Sequence, residues 1–146
     1  MLTKIQKLRE LTGAGVVECQ KALQETDGDL DKAIALIRER GFARAESKKE
    51  RKTGAGLLHS YIHNGRVGVL LELRTETDFV ARSADFHTLA RDVALQISAM
   101  NPEAVDDLLK QAYVKDESLT IEGLIQQYIS KLGENIKVER FTRYEL

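Results

Sequence analysis

The sequence predicts an α+β protein: a small three-helix bundle joined by a basic helical linker to a β-β-α-α-α-β core with a small antiparallel sheet. Three observations carry this. The apolar period is helical up to residue 40, switches to strict alternation around Asn64-Gly65, and becomes helical again after Thr77. The implied division is 1–41 for the bundle, 42–56 for the linker and 57–146 for the core.

Thr3-Lys4-Ile5-Gln6 has the form of a capping box, and Ile5 and Leu8 follow at helical spacing. That helix should stop at the glycines of Leu11-Thr12-Gly13-Ala14-Gly15. Val16, Cys19 and Leu23 share one face of a second helix, which should end near Thr26-Asp27-Gly28. Asp29 caps a third, where Leu30, Ala33, Ile34 and Ile37 fall on one face before Gly41 supplies the stop. From Arg38 to Lys52 the composition turns basic, and Thr53-Gly54-Ala55-Gly56 closes this solvated helical extension and linker.

Two alternating runs, Leu57 to His63 and Arg66 to Leu73, flank Asn64-Gly65, a strong hairpin signal because both turn positions need positive φ. A two-residue turn would pair Ile62 with Val67, Ser60 with Val69 and Leu58 with Leu71 on the expected core face. Phe86, Leu89, Ala90, Val93, Ala94 and Ile97 then form an apolar helical stripe ended by Asn101-Pro102. A further helix carries Val105, Leu108, Leu109 and Ala112, and another runs from about Thr120 to Gly133. Ile136 and Val138 alternate with Lys137 and Glu139, a strand that should return to the hairpin.

Composition narrows the function. With 22 basic and 23 acidic side chains the net charge is −1, which gives no general electrostatic case for binding nucleic acid. Apolar runs fall short of the ~20 residues of a membrane helix, and Met1-Leu2-Thr3-Lys4 opens no signal-peptide core, so a soluble cytoplasmic protein without a membrane partner is expected. Cys19 is the only cysteine, which excludes an internal disulfide and reads as a buried structural thiol.

Enzyme motifs fail on spacing. Asp27-x-Asp29-x-Asp31 lacks the glycine and the glutamate of a calcium loop, with Lys32 and Arg38 in their places. Gly13-x-Gly15 and Gly54-x-Gly56 lack the third glycine of a dinucleotide loop, so neither predicts a nucleotide cofactor. His59 and His63 lie roughly 13 Å apart on a strand, too far to share a metal. His87 lies off its helix's apolar stripe and reads as a surface residue. No catalytic set, metal site or cofactor is expected.

One segment resists a structural explanation. Thr77-Asp78-Phe79-Val80 presents two apolar residues before the long stripe begins. Phe79 is in phase with Phe86, yet Arg82 and Ser83 interrupt the face between them. Phe79 either packs inward or stands exposed beside a carboxylate at a helix start, the layout of a binding anchor.

These residues carry a resemblance. Thr12-Gly13-Ala14-Gly15 with Cys19-Gln20-Lys21-Ala22-Leu23, Thr77-Asp78-Phe79-Val80-Ala81, and Gly133-Glu134-Asn135-Ile136 together resemble the elongation factor Ts family, motif by motif and in the same order. The resemblance covers the whole chain. It implies that the N-terminal module is similar to ubiquitin-associated domains and docks on the GTPase elongation factor Tu, with Gly13, Ala14, Gly15, Val16 and Val17 the candidate contacts. It implies too that Thr77, Asp78, Phe79 and Val80 meet that GTPase, with Asp78 and Phe79 inserted beside its nucleotide site to disturb magnesium and the phosphate loop. The chain would then be a guanine nucleotide exchange factor that binds no nucleotide itself. Long family members carry two related core subdomains, whereas this sequence ends at Leu146 soon after one. A lone three-stranded sheet leaves open edges, so a homodimer is expected. The alternative functional class is an RNA- or ribosome-associated module using the basic linker, although no aromatic from Arg44 to Gly56 offers a stacking platform.

Overall fold

In the computed structural model, which describes residues 1–146, the first helix, α1 (Leu2–Thr12), ends where Gly13 takes φ 71 and its N–H donates to the Arg9 carbonyl. Its N-cap is Met1, without a side-chain bond, so the capping box expected at Thr3 does not form. Helix α2 (Val16–Glu25) is closed by Asp27 and Gly28, both at positive φ. Asp29 opens α3 (Leu30–Lys48) by accepting the Lys32 N–H at 3.1 Å. This hydrogen bond and the adjacent lysine hold the Asp29 carboxyl below its ordinary range.

Gly41 does not stop α3, as its position in the sequence predicts. The helix runs on to Lys48, and Gly41 is buried within it, facing Ser130 at van der Waals range. A glycine can be a packing notch as well as a terminator. The consequence is that α3 serves two cores. Ala33 and Ile37 belong to a small cluster with Ile5, Leu8, Cys19, Ala22 and Leu23, whereas Ala45 belongs to a larger cluster of 21 buried residues. The basic stretch from Arg38 to Lys52 is helical as far as Lys48 and none of its cations is buried, in keeping with a solvated helical extension. Five of its seven cations form ion pairs: Arg38 with Asp116, Arg40 with Glu25, Arg44 with Glu18, Lys49 with Glu46 and Arg51 with Glu76.

The strands β1 (Ala55–His63) and β2 (Val67–Thr75) form the hairpin, and β5 (Ile136–Glu145) pairs antiparallel with β2, giving the order β1-β2-β5. Asn64 and Gly65 take positive φ as their residue types require. The register is nevertheless one residue away from the expected one: His63 faces Val67, Tyr61 faces Val69 and His59 faces Leu71. Arg66 is the extra residue. Its carbonyl accepts the N–H of Leu146 at 2.9 Å, a bond that the hairpin sequence alone does not announce. The slip inverts every side chain of β1. Leu57, His59 and Tyr61 become half-buried, and Leu58 and Ile62, expected inside, are 63% and 65% exposed. Desolvation, then the nearby His87 and Arg91, lower the pKa of His59.

Between β2 and β5 lie α4 (Asp78–Ala81), α5 (Ala84–Met100), α6 (Val105–Lys110), a small hairpin of β3 (Ala112–Tyr113) and β4 (Asp116–Thr120), and α7 (Ile121–Leu132). The expected three-helix insertion thus contains a hairpin as well, and Ala112 belongs to a strand. Fully buried Gln96 accounts for it: its amide donates to the Ala112 carbonyl and its oxygen accepts the Val114 N–H. Helix α5 packs on β1 and β2, and α7 packs on α3, so α7 joins bundle to core. No helix is long and apolar enough to cross a membrane.

Candidate functional site

Helix α4 is a single turn with a side-chain cap before it and another straight after it. Thr77 is its N-cap, with extended backbone (φ −128, ψ 152) and a hydroxyl that accepts the Val80 N–H at 3.3 Å. Ser83 follows as the N-cap of α5, accepting the Phe86 N–H at 3.2 Å and donating to the Val80 carbonyl at 2.7 Å. Two caps in seven residues break one helical phase into two. Phe86 is therefore fully buried, while Phe79 is 87% exposed.

Asp78 and Thr77 are exposed beside Phe79. Val80 is not, despite its place beside Phe79 in the sequence: it is 6% exposed and lies in the main core with Ala81. Successive residues of a helix point about 100° apart, so one turn presents Phe79 and anchors itself through Val80. The site is thus an aromatic ring and a carboxylate standing on a turn whose other side is core.

The second candidate surface is the loop before α2. Buried Thr12 donates to the Leu8 carbonyl at 2.6 Å and accepts the Ala14 N–H at 3.3 Å, fixing the loop from beneath. Cys19 is fully buried below it, with Sγ 3.8 Å from the Ala14 carbonyl, and desolvation followed by the charge of Glu18 raises its thiol pKa. Gly13 and Ala14 are half-buried; Gly15, Val16 and Val17 are exposed, the two valines by 48% and 64%. Val16 therefore leaves the bundle core that its spacing predicts and stands on the surface.

One side chain reaches from this loop to the start of α5. Lys131 of α7 lies against Gly13 and pairs with Asp85, in the first turn of α5, at 3.3 Å. The loop and the start of α5 thus share one side of the molecule. A cleft of about 390 Å³, lined in part by Gly15, Phe42, Gln127 and Lys131, lies between the bundle and α7 of the core.

This geometry defines a class: an α+β protein that leaves an aromatic ring on an anchored turn and a shaped glycine loop exposed at its surface. Comparison with known proteins gives that class a family. A family model described as "Elongation factor TS" matches residues 76–146. The elongation factor Ts of Thermotoga neapolitana is 40% identical, over 97% of this chain and 94% of its own length. That of Rippkaea orientalis is 42% identical over 98% and 76%, and that of Coprothermobacter proteolyticus 42% identical over 97% and 95%. The chain belongs to the elongation factor Ts family, a family of translation factors. The Thermotoga alignment spans 186 positions against this chain's 146 residues, so parts of that relative have no counterpart here.

Proposed function

We propose that this protein binds elongation factor Tu in its GDP form and speeds GDP release, inserting Asp78 and Phe79 beside the magnesium and phosphate site. Residues 1–41 dock through Gly15, Val16 and Val17, residues 42–56 connect, and 57–146 present the probe. The observation that carries this reading is the 87% exposure of Phe79 on a helical turn anchored by Val80 and capped by Thr77. An exposed aromatic gains free energy by leaving water, and a backbone turn already anchored in the core loses little entropy on binding.

Magnitudes divide the work. A thousandfold faster release needs about 4 kcal/mol, at roughly 1.4 per decade. Burying one Phe yields about 1.5–3 kcal/mol. The ring therefore wedges elements of the GTPase apart, the charge of Asp78 adds to the disturbance around magnesium, and the bundle supplies affinity. The factor performs no covalent chemistry in this scheme. Binding linkage then requires GDP to weaken the factor as much as the factor weakens GDP. A pull-down with GDP-loaded elongation factor Tu tests this: the complex should form and be lost when GDP is added in excess. A complex indifferent to GDP would mean static tethering.

The same reading includes a homodimer. Its support is the sheet: β1 and β5 have free edges, and the outer face exposes Leu58, Ile62, Leu70 and Tyr144. A second copy related by a two-fold axis covers this face with its own equivalent. Sedimentation at micromolar concentration should give the dimer mass, and a monomer there would overturn it. The RNA-binding alternative loses ground because most of the linker's cations are already paired within the chain.

A further inference from the structure

Glu134 follows Gly133, the left-handed cap of α7, and its carboxylate reaches back across 57 residues to the segment that leads into α4. One oxygen accepts the Thr77 N–H at 3.0 Å and shares the Thr75 hydroxyl proton, at 3.1 Å, with the Asn135 carbonyl at 3.0 Å; the other accepts the Thr77 hydroxyl at 2.7 Å. The Thr77 hydroxyl therefore gives its proton to Glu134 and keeps a lone pair for the Val80 N–H. Asn135 extends the clamp. Its N–H donates to Glu76 at 2.6 Å, and its side-chain amide donates to the carbonyls of Lys49 and Arg51 at 3.3 and 3.0 Å.

A helix of one turn does not hold itself, because nucleation costs more than its few bonds return. Phe79 makes no compensating burial of its own. Its direction is set by Val80 below and by the N-cap before it, and that N-cap keeps its rotamer because Glu134 fixes the hydroxyl. A charged acceptor suits the task, since bonds to a carboxylate are about twice as strong as neutral ones.

We propose that Glu134 is a positioning residue for nucleotide exchange, holding Thr77 so that α4 presents Phe79, with Asn135 tying the same segment to the end of the connector. The proposal rests on the exchange reading above. Stopped-flow release of a fluorescent GDP analogue from elongation factor Tu separates the two, using the full chain and Glu134→Ala, Glu134→Gln, Phe79→Ala and the Glu134→Ala/Phe79→Ala pair. Glu134→Ala should slow release at saturating factor about tenfold, while the half-saturating concentration shifts less than about twofold, because the bundle surface is untouched. In the Phe79→Ala background the Glu134 change should cost nothing further. Glu134→Gln keeps the shape and one acceptor, and should fall between, which preserves the test where the alanine variant folds poorly.

Slowed release in Phe79→Ala with full activity in both Glu134 variants overturns the clamp and leaves the exchange reading standing. An equal loss from Glu134→Ala with and without Phe79 also overturns it, since the two then act independently. Full activity in Phe79→Ala overturns the exchange reading itself.

Discussion

Phe79 and Phe86 stand seven residues apart, near the starts of successive helices, and have opposite fates. Phe86 sits at the centre of the main core, fully buried, whereas Phe79 stands 87% exposed on a turn held down by its neighbour Val80. Identical side chains at helical spacing would share a face on one continuous helix. Here the Ser83 cap restarts the helix and resets its phase, so one ring is packed into the fold and the other is left in solvent, where the proposed exchange function needs it. The contrast teaches that a cap can decide function by deciding which residues the core receives.

The comparison can be broken first at its buried end. Phe86→Ala removes a fully buried aromatic and should cost about 3–5 kcal/mol of stability, seen as a large fall in the urea midpoint. A midpoint within experimental scatter of the unaltered protein would mean that α5 does not anchor the core as drawn. The seam between the helices comes next. Ser83→Ala deletes the cap bond to Phe86 N–H and the bond to the Val80 carbonyl, and should cost about 0.5–2 kcal/mol by thermal unfolding. If Ser83→Ala instead leaves stability unchanged, the phase reset does not depend on that hydroxyl.

The smallest effect lies on the sheet's outer face, away from both rings. Side-chain bonds from Arg140 and Arg74 hold the Glu72 carboxyl below its ordinary range. A lowered carboxyl favours the folded state above its unfolded pKa, and that contribution is lost as pH falls through the folded value. The unaltered protein should therefore lose slightly more stability than Glu72→Gln between neutral and acid pH, with GDP release at neutral pH the same in both. Parallel pH curves would show that the two arginines do nothing for the fold.

Much of this architecture was legible in the sequence because its causes are local. Gly13 and Gly133 end their helices, Asp29 starts one, and the stripe from Phe86 to Ile97 is the buried face of α5. What the sequence hid depends on distant partners. The β1 register turns on Arg66 and Leu146, which are 80 residues apart in the chain, and the β3–β4 hairpin turns on a buried glutamine in another helix. Gly41 looked like a terminator because the serine opposite it lies on α7. At the site, the interruption at Arg82-Ser83 was a usable sign that Phe79 leaves the stripe. Val80 enters the expected contacts through the family motif alone, and only the turn's geometry shows that it faces the core. The family marker Gly133-Glu134-Asn135-Ile136 carried no role until the fold brought Glu134 to Thr77.

The most direct test of the central claim is made on one variant with two readings. Phe79→Ala should unfold at the same temperature as the unaltered protein, within about 0.5 kcal/mol, because an exposed ring contributes little to stability. In stopped flow it should release GDP from elongation factor Tu about ten- to a hundredfold more slowly, the loss of about 1.5–3 kcal/mol at 1.4 per decade. Undiminished release, or a fall in stability as deep as that of Phe86→Ala, would contradict the division between the two rings.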